Sequence, residues 1–433
     1  MQSSLHEMSS TSVPLPKLDL FGVPPTQTII ERDIVTEHRP IATIDPTSFI
    51  QFEIQTAIDE YIDLEKLILY MKVKLEKMKS VSTDAEWDNI APTNYLLHSM
   101  IKQVDIFIGD KQITSNSPTY AYKAYFEAFL GFSRDQKKSH LTSALWYNDE
   151  DLKDDVIVKN QTKYLKNYRE LDMMGRLHTD ITFQGRSLLG GCKLTIRILL
   201  NDPKFYMNSK GHKPELDIME VSLFTHRSKV SRDLVEAHNL ALDKATAKYP
   251  LTMSKVKAFT IHTGAYDACI DNIHSGQLPR RIFICFVRNS AYCGEYHLNP
   301  YRFEHCFISN ITVYLDGIQF PTKAYTPDFE SGIYQREMYS LYEALDMLDM
   351  DPNFYINRDN YAKGNTIFGF NFTPDLSSGC GTTGHLSSVR FGSLRLALRF
   401  NKTLVEPITA LVYCEFDKIL EIDSNRRAII DSF

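Results

Sequence analysis

The sequence predicts an all-β chain made of two tandem β-sandwiches of one kind. Three observations carry this. A strand–turn–strand segment occurs twice in matching surroundings. Short apolar or alternating runs follow one another densely, bounded by turn residues. The aromatic content is weighted to 25 Phe and 23 Tyr, with only 2 Trp, and such side chains favour a pleated, half-buried surface.

The repeated segment is Val104-Asp105-Ile106-Phe107-Ile108-Gly109-Asp110-Lys111-Gln112-Ile113, echoed by Ile311-Thr312-Val313-Tyr314-Leu315-Asp316-Gly317-Ile318-Gln319-Phe320, at an offset of 311 − 104 = 207 residues. Gly109-Asp110 and Asp316-Gly317 supply the residues that tolerate positive φ in a two-residue hairpin turn. Two more pairs follow in the same order. Tyr125-Phe126-Glu127-Ala128-Phe129 is echoed by Leu341-Tyr342-Glu343-Ala344-Leu345, and Leu194-Thr195-Ile196-Arg197-Ile198 by Leu396-Ala397-Leu398-Arg399-Phe400, at offsets of 216 and 202. One order at nearly one offset implies two domains of one fold. The copies agree in pattern more than in identity, so the duplication is old.

The elements run as follows. Residues 1–17 are aperiodic and read as an arm. Residues 18–28 are more apolar, but Pro24-Pro25 forbids helix and central strand there. They read as an extended segment that packs against something. Strands are expected over 49–54, 67–75, 192–200 and 217–224 in the first half. In the second half they are expected over 281–287, 306–315, 366–372, 393–400 and 408–416. Helical spacing marks 120–130, 334–348 and 232–247, the last with Ser231 as N-cap and Pro250 just beyond. Residues 131–170 and 321–364 are long polar connections at matching places. Segments of that length are usually functional or partly disordered, and their charge runs read as solvated loop surface.

At 433 residues, 43% hydrophobic and 24% charged, the chain can bury a core in each of two or three domains. The net charge of −6 gives no general field for nucleic acid. The seven cysteines, Cys192, Cys269, Cys285, Cys293, Cys306, Cys380 and Cys414, are odd in number and form no CxxC. They read as reduced thiols. The first sixteen residues lack the basic and apolar regions of a signal peptide, and no apolar run reaches 18 residues. The sequons at Asn160, Asn310, Asn371 and Asn401 are expected to be unused.

No constellation for catalysis or metal binding emerges. The thirteen histidines contain neither HxH nor HExxH, which removes the ligand set of bicupin metalloenzymes. Cys293, His297, His305 and Cys306 fall within fourteen residues but match no zinc-finger spacing, and Cys306 belongs to a strand pattern. Gly379-Cys380-Gly381-Thr382-Thr383-Gly384 lacks the lysine of a phosphate loop and reads as a turn. Asp172 and Asp180 have no acid–base spacing logic. Arg197 and Arg399, on matched strands, read as partners of carboxylates or as a sandwich edge. Catalytic, cofactor and metal residues are therefore all expected to be none.

Taken together, several segments resemble one family. They are Leu18-Asp19-Leu20-Phe21-Gly22-Val23-Pro24-Pro25-Thr26-Gln27-Thr28, Ile62-Asp63-Leu64, Leu97-His98-Ser99-Met100-Ile101-Lys102-Gln103-Val104-Asp105 and Leu171-Asp172-Met173-Met174-Gly175-Arg176-Leu177-His178-Thr179-Asp180-Ile181. Further along come Lys244-Ala245-Thr246-Ala247-Lys248-Tyr249-Pro250, Gly276-Gln277-Leu278-Pro279-Arg280-Arg281, Tyr361-Ala362-Lys363-Gly364, Phe370-Asn371-Phe372-Thr373-Pro374-Asp375-Leu376 and Glu415-Phe416-Asp417-Lys418-Ile419-Leu420-Glu421-Ile422-Asp423. The chain resembles, from about residue 18 onward, the double jelly-roll major capsid proteins of Polintons (Mavericks) and adintoviruses, DNA elements of animal genomes.

The resemblance implies two tandem eight-stranded antiparallel jelly rolls with a few short helices, standing side by side. It implies an arm over 1–29, rolls over 30–230 and 250–433, and a helical linker over 231–249. Three chains would form a homotrimer of pseudo-sixfold outline that tiles an icosahedral shell beside a single jelly-roll penton or minor capsid protein. The long connections would cluster at the outward end, and residues 18–28 would run along the base or a neighbouring chain. No enzyme activity, cofactor, small-molecule ligand or sequence-specific nucleic acid is implied. The protein would be made in the host cytoplasm and reside in the virion, neither secreted nor membrane-spanning. The different class that the residues leave open is a non-viral double β-sandwich binding protein, or a bicupin-like metalloprotein.

Overall fold

The computed structural model describes residues 26–430 apart from 46, 77–86, 88, 148–158, 350–355 and 377–384. The arm before residue 26, the acidic runs at 149–151 and 154–155 and the Gly-rich segment 379–384 lie outside the described residues.

The first half contains β1 (Ile30–His38), β2 (Ile50–Gln55), β3 (Glu60–Leu75), β4 (Ile90–Pro92), β5 (Ile101–Ile108), β6 (Lys111–Gln112), β7 (Glu170–Arg176), β8 (Lys193–Leu200), β9 (Met207–Ser209) and β10 (Leu216–Val230). The second contains β11 (Ala247–Ile261), β12 (Asp267–Gln277), β13 (Arg281–Arg288), β14 (Ile308–Leu315), β15 (Ile318–Tyr325), β16 (Ile367–Asn371), β17 (Phe391–Phe400), β18 (Ile408–Ile422) and β19 (Ala428–Ile430). The first-half sheets have orders β1-β10-β3-β7 and β2-β8-β5-β6. The second-half sheets have orders β11-β18-β13-β16 and β12-β17-β14-β15, with β19 added to β18. Replacing each first-half strand by its counterpart reproduces both orders, so the chain is two jelly rolls in tandem. The pair β4-β9 stands apart as a small ladder.

The repeated hairpins are β5–β6 and β14–β15, and the 207-residue offset holds: Ile108 faces Lys111, and Leu315 faces Ile318. Asp316 and Gly317 both have positive φ, the type I′ pattern, whereas in the first hairpin Gly109 alone is left-handed. The third echo needs a correction. Ladder partners equate Leu194, opposite Ile108, with Leu394, opposite Leu315. The offset is 394 − 194 = 200, two less than the sequence comparison suggests.

Three strands run well beyond their expected bounds, β3, β10 and β18, the last continuing to Ile422 alongside β11 and β19. β3 begins at Glu60 because an irregularity separates the pair Phe224–Ile68 from the pair His226–Asp63. The bulge carries Glu65 and Lys66 outward and breaks the alternation on which the expectation relies. β10 continues to Val230 alongside β1. The edge strands β1, β7, β11 and β12 were not expected at all. Three of them are polar, and β11 contains Pro250, which an edge tolerates because it has no ladder hydrogen bond to donate on the open side. Cys306 is not on a strand; it occupies a turn before β14 with φ +48.

The helices fall at the expected places with shorter bounds. α1 (Tyr120–Phe126) continues into a π-helical turn, Glu127–Gly131; α2 (Arg232–Leu242) joins the halves; α3 (Gln335–Ala344) occupies the second β15–β16 connection. Ser231 takes the N-cap position of α2 with extended backbone, but its side chain makes no capping bond. α2 ends early because Ala247 already pairs with Ile422 in the next sheet.

The rolls stand side by side and point the same way. Near the end where β1 begins, Tyr249 Oη donates to the Ser187 carbonyl (3.2 Å) and Arg426 Nε to the Gly190 carbonyl (3.0 Å). Toward the other end, the Ser209 amide donates to the Tyr296 carbonyl (2.6 Å).

The first-roll loop between β7 and β8 passes against the turn before β3. A Cβ on Gly190 would lie 2.2 Å from the Ile58 carbonyl oxygen, a backbone atom that cannot swing away. Gly190→Ala is expected to lower the unfolding free energy by about 2–3 kcal/mol, read as a lower urea midpoint at unchanged slope.

Candidate functional site at the seam between the rolls

The seam is organised by α1. Tyr120, Ala121, Tyr122, Ala124, Tyr125 and Phe126 are all buried, and a helix apolar on every side must lie inside the protein. It presents a layer of rings to the second roll. Tyr125 stacks on Tyr301 with centroids 4.0 Å apart, and Phe126 stacks on Phe303 at 5.3 Å. Ser99 Oγ and Tyr301 Oη share a hydrogen bond of 2.7 Å. Offset stacking of this kind adds attraction beyond area burial.

The two polar residues of α1 and its π turn are committed within the same seam. Lys123 Nζ lies 2.5 Å from Asp180 Oδ1 and 3.8 Å from Glu127 Oε1. Ser254 of β11 donates its amide to Asp180 (3.0 Å) and its hydroxyl to Glu127 Oε1 (2.7 Å). Glu127 Oε2 meets His178 Nδ1 at 2.9 Å, and His178 Nε2 meets Tyr95 Oη at 2.7 Å. The ring thus bridges the Glu127 carboxylate and the Tyr95 phenol, one through each nitrogen. The His178 amide donates to Tyr120 Oη, which reaches His98 Nδ1 at 3.0 Å.

Burial would raise Glu127, but Lys123 and the hydrogen bonds from His178 and Ser254 outweigh it and hold the carboxyl below its ordinary range. Asp180 goes up, because burial and the nearby Glu127 outweigh Lys123. Burial, with His178 beside it, keeps His98 well below its usual value and hence neutral.

A second ionic knot ties α3 into its own roll. Glu415 of β18 accepts from Arg280 Nη2 (2.9 Å) and from Arg281 Nη2 (3.2 Å), while Arg281 Nη1 reaches the Ala344 carbonyl at the end of α3 (3.4 Å). Burial opposes ionisation of Glu415; the two guanidiniums reverse that and lower it. Between the knots lies a cleft of about 540 Å³, with Glu127 and Asp180 on one wall and Arg281 and Glu415 on the other.

Chemically, the seam is a relay of phenol, imidazole and carboxylate that ends on the Ser254 hydroxyl of the other roll. Ser254 Oγ already donates to Glu127 and lies 3.2 Å from Asp180 Oδ1. What the arrangement does is fix one roll against the other.

The residues singled out in the sequence disperse. Asp180 joins the seam, whereas Asp172 sits on β7 opposite Lys72. His297 pairs with Glu295 at 3.2 Å, and His305 stacks on Phe329 with centroids 4.4 Å apart. Cys306 points to the Glu304 carbonyl. Among the described residues no group of three or more His, Cys, Asp or Glu is placed to hold a metal ion. The described cysteines are unpaired. Arg197 takes Gln51 Oε1 (3.0 Å) and the Phe107 ring and stands opposite Asp105 in the ladder, where its charge favours the carboxylate against burial. Sequence reasoning missed Lys123, Ser254 and the role of Glu127. The available signal was a Lys and a Glu four apart on an otherwise apolar helix.

The rolls also differ in what covers them. Strand β11 buries Tyr249, Leu251, Met253, Ser254, Val256 and Ile261, several of them under α1 and the loop carrying Asp180. Its counterpart β1 buries no residue at all and exposes Val35. Likewise α1 is enclosed, whereas Ile333 and Tyr339, beside and on α3, are exposed.

No family model matches the chain. An uncharacterised protein of Caenorhabditis elegans is 26% identical over 353 residues, covering 79% of this chain and 82% of that protein. Among solved structures, the Sputnik virophage determined by cryo-EM aligns with a TM-score of 0.62 at 11% identity, over 97% of this chain and 92% of that one. The major capsid protein of mavirus aligns at 0.58 and 10% identity, over 100% and 96%. The VP54 protein of the virus PBCV-1 aligns at 0.59 and 9% identity, over 95% and 99%. At such identities the likeness is one of fold: this chain has the double jelly-roll fold of those capsid proteins.

Lys123→Met leaves two buried carboxylates without their cation and is expected to cost about 3–5 kcal/mol, measured by urea unfolding at neutral pH. The pH dependence has a definite sign. Glu127 and Glu415 hold a proton less tightly folded than unfolded, so their contribution is present above about pH 4.5, their ordinary value, and is lost as pH falls through the lowered native values. Asp180, shifted upward, offsets part of this. Stability should therefore fall on acidification below pH 4.5, and Glu415→Gln should flatten that slope.

Proposed function

We propose that this chain is a major capsid protein of a virus-like DNA element, and that three copies assemble into a capsomer of six rolls that tiles an icosahedral shell. The observation that carries the reading is the unequal cover of two equivalent rolls. Within the chain, the α1 side of the first roll seats on the β11 edge of the second. The same side of the second roll, with α3 and Tyr339, and the same edge of the first, with β1 and Val35, have no such partner among the described residues. A second copy supplies both, and three copies repeating the contact return to the start. Proteins named as viral capsid proteins with the same fold support this reading.

The mechanism is interface formation without chemistry. The resemblance of segments such as 18–28 and 171–181 to the capsid proteins of Polintons and adintovirus-like elements supports an origin among them, and the nematode relative is likewise a protein of an animal. In that setting the partners are other copies of the chain and a single jelly-roll penton protein, and the location is the virion.

Light scattering after size exclusion is expected to give three times 49.8 kDa, about 149 kDa; a stable monomer at micromolar concentration would sink the proposal. Tyr339→Glu and Val35→Glu should each raise the concentration for half-assembly at least about tenfold, the effect of one charge left desolvated at an interface, with the circular dichroism spectrum unchanged. Metal analysis should return no stoichiometric zinc, iron or manganese; finding one would overturn a purely structural role.

A further inference from the structure

A groove of about 560 Å³ lies where the two rolls and α2 meet. Its sides are Ile29 and Ile30 at the entry to β1, Val230 at the exit of β10, and Leu234 and Leu242 of α2. Several of its polar groups are already committed. His238 Nδ1 meets Tyr61 Oη at 2.8 Å, and the Leu189 amide donates to Tyr249 Oη at 3.2 Å. Arg186 Nη1 donates to the Lys248 carbonyl. A site with apolar sides and a basic rim selects a mainly apolar occupant that carries an acidic group at its edge.

We propose that this chain's own residues 18–25, Leu18-Asp19-Leu20-Phe21-Gly22-Val23-Pro24-Pro25, fill the groove. Four facts point to this occupant. The backbone bends at Ile29, and the Ser231 amide holds the Ile29 carbonyl at 2.7 Å, so the chain enters β1 from the mouth of the groove. Eight residues reach at most about 27 Å when extended, enough to run the length of α2, about 16 Å for its 11 residues. Leu18, Leu20, Phe21 and Val23 match the apolar sides, and the two prolines bring no N–H that an apolar groove would leave unpaired. Asp19 has Arg186 and Lys248 at the rim to meet it. Because the segment is tethered beside the groove, its effective concentration is about millimolar, so modest burial suffices to hold it.

The test places a photo-crosslinker in the groove of the full chain as Ala241→p-benzoylphenylalanine, in a mixture of isotopically heavy and light protein. After irradiation, crosslinks are expected on residues 18–25 and only within one isotope. Heavy–light pairs would mean that a second copy's arm fills the groove, and crosslinks that avoid the arm would mean another occupant; either overturns the proposal. Removing residues 1–25 should also speed amide exchange over Arg232–Leu242 at least about tenfold. Unchanged exchange would overturn it equally, with or without trimer formation.

Discussion

The placement of one lysine governs how this molecule holds together. Lys123 sits on a helix whose other faces are apolar, largely withdrawn from water, and it is tolerable there because Asp180 and Glu127 meet it. Those carboxylates are in turn positioned by Ser254 of the second roll and by His178 of the first. The cluster is therefore complete only when three separated stretches of chain, 123–127, 178–180 and 254, arrive in one geometry. Ring stacking along α1 supplies attraction that many orientations would satisfy; the charges select one. Hydrophobic burial drives the rolls together, and the hydrogen bonds from Ser254 to Asp180 and Glu127 restrict how they meet.

The part of this architecture legible in the sequence is the part governed by local rules. The β5–β6 and β14–β15 hairpins are visible because alternation has period two and a two-residue turn demands positive φ at Gly109 or at Asp316-Gly317. The same period explains the error in the third echo. A shift of two residues keeps every side chain on its face, so Leu194 matches Leu396 as well by pattern as it matches Leu394 by pairing. Strands β1, β7 and β12 escaped notice because each lies at a sheet edge, where solvent permits runs such as Ile30-Glu31-Arg32-Asp33 that no core strand would carry. The seam was hidden for a different reason. Its members lie on α1, beside β7 and on β11, and no spacing rule connects residues 123, 178 and 254.

The duplication has not kept the two rolls equal. Both carry a helix in the connection that precedes the fourth strand of their first sheet, but α1 crosses to the neighbouring roll while α3 stays at home. The close approach of α3 explains Gly369 on β16: a Cβ there would come within 2.9 Å of Ala344 Cβ. A helix that stays against its own strand leaves its outer face available, and a helix that crosses does not. Divergence after duplication thus shows in where a helix spends its surface rather than in the strand order, which both halves retain.

One consequence follows from the rolls standing side by side and pointing the same way. Any contact that repeats the seam joins unlike surfaces, a side to an edge, and such contacts do not terminate by symmetry. They terminate only when the turn taken at each step divides a full circle. In the proposed assembly the seam would supply every other step of that turn. A small error in its angle would accumulate around the circuit, and the growing object would miss its own beginning and continue as a filament. A rigid seam, with Ser254 tied to Asp180 and Glu127, would in that assembly be a form of counting: it would fix how many rolls fit before the ring is full.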